Sequence, residues 1–400
     1  MSRARAHAVK AAPGQLTITG FLEEMARRAV IQNPMRPAIR LFLVVLALMG
    51  VGLVVQASAL ATTRPPEVFR AELMAQVAFR VAGIAVLVCA FRLGPAGLRP
   101  WLGHLVALCL AALVLVYTPA GAQKNGANRW LDLGPLTFQP SELARIALLV
   151  WVASRCVQLG PLVVNLRRGV APMFALVLAF FFLILFETDL GGAMLLLICA
   201  LAVMWVGGAR LLPIAAVAAS VGGGAIVAAA AFVPYMRSRI AMFLGDVHND
   251  QLADTVLAMS KGGAFGSGLT FGPSRNAGVP YLESDCVFGL VGEELGLVGM
   301  WLVLGLLVAF LWFALRLVLS VRDRYEALAS FGLLVSVALQ AMLHVQVVAG
   351  LAPPKGMTLP FISDGGTSLI VSSLAVGLAL GAARRSTATE TPCSPSNATV

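Results

Sequence analysis

Ile39-Arg-Leu-Phe-Leu-Val-Val-Leu-Ala-Leu-Met-Gly-Val-Gly-Leu-Val-Val-Gln-Ala-Ser-Ala-Leu-Ala61 holds one charge and twenty-two uncharged, mostly apolar residues. A helix of about twenty such residues crosses a hydrocarbon core of roughly 30 Å. Nine more stretches of this kind follow, near 71–92, 101–119, 139–155, 171–187, 190–208, 211–233, 286–315, 328–350 and 368–383. The stretch 286–315 is long enough to begin outside the bilayer or to tilt. Of the 400 residues, 59% are hydrophobic and 12% charged, and mean hydropathy is +0.88, which excludes a soluble globular domain. No alternating ten-residue pattern indicates an outer-membrane barrel. The expectation is an all-α polytopic membrane protein with ten transmembrane helices and a large extracytoplasmic loop between the seventh and eighth.

The net charge of +10 does not mark a nucleic-acid partner, because the basic residues sit at the ends of apolar runs. With the N-terminus inside, 18 of the 29 Lys and Arg residues fall in inner loops and tails, so both termini are expected in the cytoplasm. Residues 1–38 read as an uncleaved cytoplasmic tail, 39–383 as the membrane domain and 384–400 as a disordered tail rich in Thr, Ser and Pro. The six cysteines form no CxxC pair and read as small core-filling residues.

This topology puts 120–138, the 187–190 turn, the long loop 234–285 and 351–367 on the outer side. The motif-like residues gather there. Asp285, in Pro280-Tyr-Leu-Glu-Ser-Asp285-Cys-Val-Phe288, stands where the long loop re-enters the membrane. It reads either as a helix N-cap or first-turn charge, or as a reactive carboxylate beside a lipid-soluble substrate. Arg129 and Trp130 suit a membrane interface or a substrate contact. Glu142 and Arg145 share a helix face. A charge inside a membrane costs about 2.5–3.5 kcal/mol on insertion scales, so the two either pair with each other or face substrate. Glu187 and Asp189 form a second acidic cluster that could bind a cation or meet Arg145. Lys261-Gly262-Gly263 lacks the strand and lysine of a nucleotide loop; its glycines suit backbone lying against the membrane or a ligand. Arg237, Arg239, Lys261 and Arg275 supply positive charge for a diphosphate headgroup. Of Glu293 and Glu294, adjacent on one helix, at least one is expected to face the bundle interior. The last outer segment, with three prolines, is a stiff irregular loop suited to lining a cavity.

Together, Asn125-Gly-Ala-Asn-Arg129-Trp130, Phe138-Gln-Pro-Ser-Glu142-Leu-Ala-Arg145, Asp189-Leu-Gly191, Gly262-Gly263, Asp285, Gly292-Glu-Glu294-Leu-Gly296 and Lys355-Gly-Met-Thr-Leu-Pro360 with Ser363 resemble the SEDS family of shape, elongation, division and sporulation proteins. The likeness runs over residues 39–383. Lys355-Gly356 is similar to the FtsW branch. The resemblance implies a ten-helix fold and a peptidoglycan glycosyltransferase that polymerises lipid II into glycan strands at the outer face of the bacterial inner membrane, at the division septum. It implies Asp285 as the family's essential aspartate and Trp130 as its loop tryptophan. It also makes Arg129, Glu142, Arg145, Lys355 and Ser363 substrate-site candidates. Implied partners are undecaprenyl-diphosphate-linked glycan, an FtsI-like class B transpeptidase and the FtsQ–FtsL–FtsB complex; a divalent cation, Mg²⁺ or Mn²⁺, is the one cofactor admitted. The chain departs from the family beside the aspartate, where Tyr281 and Glu283 replace the usual Glu and His of Pro-Glu-x-His-Thr-Asp-Phe, and at Glu187-Thr188, where Gln-Pro is usual, at His344 for Asn and at Asp364 for Tyr. Two rival expectations are a lipid II flippase or other lipid transporter, and a non-catalytic division scaffold.

Overall fold

A computed structural model describes residues 33–119, 121–124, 127–132, 137–232, 237–238, 241–242, 250–272, 284–353 and 356–388. The terminal tails and the positions Arg239, Arg275 and Lys355 lie outside these residues. Among the described residues, helices overlap the apolar stretches: α1 (Met35–Thr63), α2 (Pro66–Leu98, kinked at Gly94), α3 (Leu102–Leu115), α4 (Pro140–Leu159), α5 (Ala171–Phe186), α6 (Leu190–Val206), α7 (Leu211–Phe232), α9 (Val287–Ser320), α10 (Arg324–Val348) and α11 (Gly366–Ala388). An additional helix, α8 (Asp250–Gly262), lies within the long loop. Six stretches among the described residues are long and apolar enough to cross a membrane, one of them the 50-residue Pro66–Leu115 that contains both α2 and α3. Shorter apolar helices cover Ala171–Phe186, Leu190–Val206 and Leu212–Ala225. The chain is a multi-pass membrane protein.

The structure corrects the all-α expectation in one place. The segment after α3 holds a three-stranded antiparallel sheet of β1 (Gly121–Lys124), β2 (Ala127–Asp132) and β3 (Thr137–Phe138). Lys124 pairs with Ala127, so only Asn125-Gly126 joins β1 to β2. Asn-Gly is the residue pair that two-residue hairpin turns favour. The strands are too short for their alternation to stand out against the apolar runs on either side.

Helix ends follow their local chemistry. Asp189 caps α6 by accepting a 2.9 Å bond from the Gly192 amide, and Asp323 caps α10 by accepting one of 2.8 Å from Glu326. Pro140 occupies the first turn of α4, where its missing N–H costs nothing. α11 is the innermost helix and runs along α2. Gly377-Leu-Ala-Leu-Gly381 gives the small-residue spacing that brings membrane helices into close approach. A Cβ on Gly377 would come within 2.4 Å of the Leu87 carbonyl oxygen, so α2 and α11 touch backbone to backbone.

α9 is divided. Gly296 has φ +66 and breaks its helical path, leaving a short first piece, Val287–Leu295, ahead of the main apolar run. The break leaves amides and carbonyls without partners in their own helix, and residues 263–268 take their place. The Leu297 and Val298 amides donate to the Gly263 and Ala264 carbonyls at 3.0 and 3.1 Å. The Ser267 and Gly268 amides donate to the Glu293 and Glu294 carbonyls at 2.9 and 3.1 Å. Both glutamates are buried, so both, and not only one, face inward.

Candidate active site

Asp285 is half-buried in the turn just ahead of α9. Cys286 is the helix N-cap, so Asp285 stands one residue outside the cap position. Across from it runs the loop between α10 and α11. A Cβ placed on Gly356 would lie 3.2 Å from Asp285 Oδ2, and Gly356 itself is exposed. The carboxylate therefore sits at an open edge, with main chain on one side.

That loop is held from four directions. Ser363 Oγ donates to the Ser284 carbonyl at 2.8 Å and accepts from the Leu359 amide at 2.8 Å, tying the loop to the residue before Asp285. On the α10 side, His344 Nδ1 meets the Met357 carbonyl at 2.7 Å, and Gln340 Nε2 donates to the Thr358 carbonyl at 3.2 Å. On the α1 side, Gly52 admits the loop, since a Cβ there would fall 2.6 Å from the Phe361 carbonyl oxygen. On the α2 side, Gln76 Nε2 donates to Asp364 Oδ1 at 2.5 Å. An irregular segment among membrane helices needs its backbone polar groups paired, and these side chains pair them.

Glu142 and Arg145 stand at the far end of the same network. Arg145 is buried, and its Nη2 donates to Gln340 Oε1 at 2.6 Å. Glu142 bonds with Ser368, which accepts from Thr358 Oγ1 at 2.8 Å. Among the described residues, Arg145 forms an ion pair with neither Glu142 nor Glu187. A chain of bonds thus runs from α4 through Gln340 and Ser368 to the loop beside Asp285. Sequence reasoning missed Gln340, Thr358 and Ser368. Gln340 had a signal: it lies four residues before His344, on the same face of an apolar helix.

Arg129 and Trp130 occupy β2. The Arg129 guanidinium is taken up by main chain, Nη2 donating to the Thr188 carbonyl at 2.7 Å and Nε to that of Glu187 at 3.2 Å. This fastens the sheet to the α5–α6 turn. Trp130 is half-buried opposite Ala122. Glu187 is buried, with neither carboxyl oxygen hydrogen-bonded. Asp189 serves as the cap of α6. Arg237 and Lys261 are exposed. Glu294 Oε1 accepts from Ser58 Oγ at 2.8 Å. Among the described residues, no three His, Cys, Asp or Glu side chains gather into a group that could hold a metal ion.

Residues 37–388 match the family of cell cycle proteins that takes in FtsW, RodA and SpoVE. The chain belongs to this family. It is 30% identical to stage V sporulation protein E of Bacillus subtilis over 358 residues, which cover 88% of this chain and 98% of that protein. It is 34% identical to the probable peptidoglycan glycosyltransferase FtsW of Thioalkalivibrio sulfidiphilus over 355 residues, 85% of this chain and 88% of the other. Among solved structures of the family's fold, the rod shape determining protein RodA of Thermus thermophilus superposes with a TM-score of 0.62 at 27% identity, covering 86% of this chain and 95% of that one. A chain from a structure described as a peptidoglycan synthase complex coordinating polymerization and crosslinking gives 0.71 at 28% identity, covering 86% and 97%.

Ser363 offers a direct check on the loop's attachment. Ser363→Ala leaves the Leu359 amide and the Ser284 carbonyl without this partner. The expected loss is about 1–3 kcal/mol of stability, read as an earlier thermal unfolding midpoint in detergent.

Proposed function

We propose that this protein is a peptidoglycan glycosyltransferase that polymerises lipid II at the outer face of the inner membrane, with Asp285 as general base. The observation that carries the reading is the half-buried Asp285 carboxylate at an exposed edge, backed by a loop fastened to α1, α2 and α10. A base held on a braced support keeps its orientation toward substrate. Relatives named as probable peptidoglycan glycosyltransferases support the same reading.

In the proposed step the 4-hydroxyl oxygen of one sugar attacks the anomeric carbon of another, and the carbon–oxygen bond to the lipid diphosphate breaks. The diphosphate leaves with the electron pair, and Asp285 takes the hydroxyl proton. The leaving group is already stable as an anion, so no second carboxyl group is required, unlike the pair in a glycosidase. Exposed Arg237 and Lys261, with Arg239, Arg275 and Lys355, are the cations we assign to the diphosphates. Trp130 is assigned to the sugar-facing rim. An apolar cavity of about 350 Å³ between α1, α9, α10 and Pro360-Phe361 is a candidate for a prenyl chain. No step is routed through a divalent cation.

We further assign it a crosslinking partner of the FtsI-like transpeptidase class, regulation by an FtsQ–FtsL–FtsB-type complex, a septal location, ten crossings and cytoplasmic termini. The similarity to a chain of a synthase complex and the distribution of basic residues support these assignments. Incubating the purified chain, with its transpeptidase partner, with labelled lipid II tests the reading: glycan strands are expected, and unreacted lipid would refute it. A transporter is the second reading, favoured by the helix break at Gly296 beside two buried glutamates, a feature that transporters place at substrate sites.

A further inference from the structure

Residues 263–272, which follow α8, read in sequence as part of an aqueous outer loop, yet their surface is apolar. Phe265 is 85% exposed, Phe271 75% and Leu269 42%. Three large apolar side chains within seven residues are costly in water. The backbone there is treated the opposite way. The amides of Gly266, Ser267, Gly268, Thr270 and Phe271 all find acceptors inside the protein. Ser267 Oγ also turns inward, to the Glu293 carbonyl at 2.9 Å. Apolar side chains facing out, with main-chain polar groups paired within, is what hydrocarbon demands of irregular backbone.

The position of the segment says what covers it. Residues 263–268 are hydrogen-bonded to both sides of the Gly296 break, and the residues just beyond that break present Val298, Trp301 and Leu302, each more than half exposed, along a candidate membrane span. The apolar rim is therefore continuous with a lipid-facing helix surface. Lys261 is exposed at the end of α8, four residues before Phe265.

We infer that residues 265–271 form a wedge inserted into the outer leaflet of the bilayer, with lipid acyl chains as the partner of Phe265, Leu269 and Phe271. The wedge fixes the depth of the Glu293–Gly296 break. It makes this part of the loop membrane-bound and not a flap in water.

Nitroxide labels on a cysteine-depleted full chain in phosphatidylethanolamine–phosphatidylglycerol vesicles test this without any activity readout. Labels at Phe265→Cys and Phe271→Cys, with Leu269→Cys as a third position should either fold poorly, are compared with Leu302→Cys in lipid and Arg237→Cys in the exposed loop. The expected result is collision with oxygen exceeding collision with a water-soluble nickel complex, as at Leu302→Cys. Nickel accessibility matching Arg237→Cys would overturn the inference. So would screening from both reagents, which would place a protein partner over the rim.

Discussion

Asp285→Asn is expected to lower lipid II polymerisation by about 10²–10⁴-fold, the range that a positioned general base contributes. The substitution keeps the side chain's size and shape and one accepting oxygen, and contacts on either side of it are made by other residues. Ser363 holds the Ser284 carbonyl, and Cys286 occupies the cap of α9. The folded protein should therefore persist, with an unfolding midpoint close to that of the unaltered chain. Loss confined to kcat, with KM little changed, marks a group that acts in the transition state. A variant that kept its rate would assign the proton elsewhere. One that lost rate and stability together would make Asp285 a structural residue.

Gly266→Ala is expected to destabilise the outer half of the protein by at least about 2 kcal/mol, because an L-residue is strained in left-handed backbone and the site has no room. Gly266 has φ +83, and a Cβ there would lie 2.0 Å from the Glu294 carbonyl oxygen. That neighbour is backbone and cannot rotate away. Gly296→Ala should act alike, since φ is +66 and its Cβ would fall 2.3 Å from the Gly266 nitrogen. The two glycines face each other, so the double variant should cost less than the sum of the two. Thermal unfolding in detergent reads the loss, and a fully additive double variant would contradict the interlock.

The helices were legible because a span of apolar residues is its own signal, independent of what it touches. Their ends were less so: α2 starts at Pro66 where hydropathy marked 71, because a helix continues into the polar residues Glu67 and Arg70, and its far end is kinked at Gly94, with φ +61, just before Pro95. The glycines of Gly262-Gly263 and Gly292–Gly296 were visible as a motif, but their mutual fit was not, because it joins segments about thirty residues apart. The same holds for the network around Asp285. Arg145 bonds Gln340, 195 residues away, a partner that no local pattern names. Arg129 was expected at an interface or on a ligand and is taken up by the carbonyls of the 187–188 turn. Local sequence shows that a charge needs a partner in a membrane; only the fold says which one it takes.

The most direct test of the central claim follows both fates of labelled lipid II in one population of vesicles carrying the full chain and its transpeptidase partner. The account predicts glycan strands built from lipid II, with little product from the Asp285→Asn protein. Lipid II carried across the bilayer intact, with no strand formed and no dependence on Asp285, would contradict it.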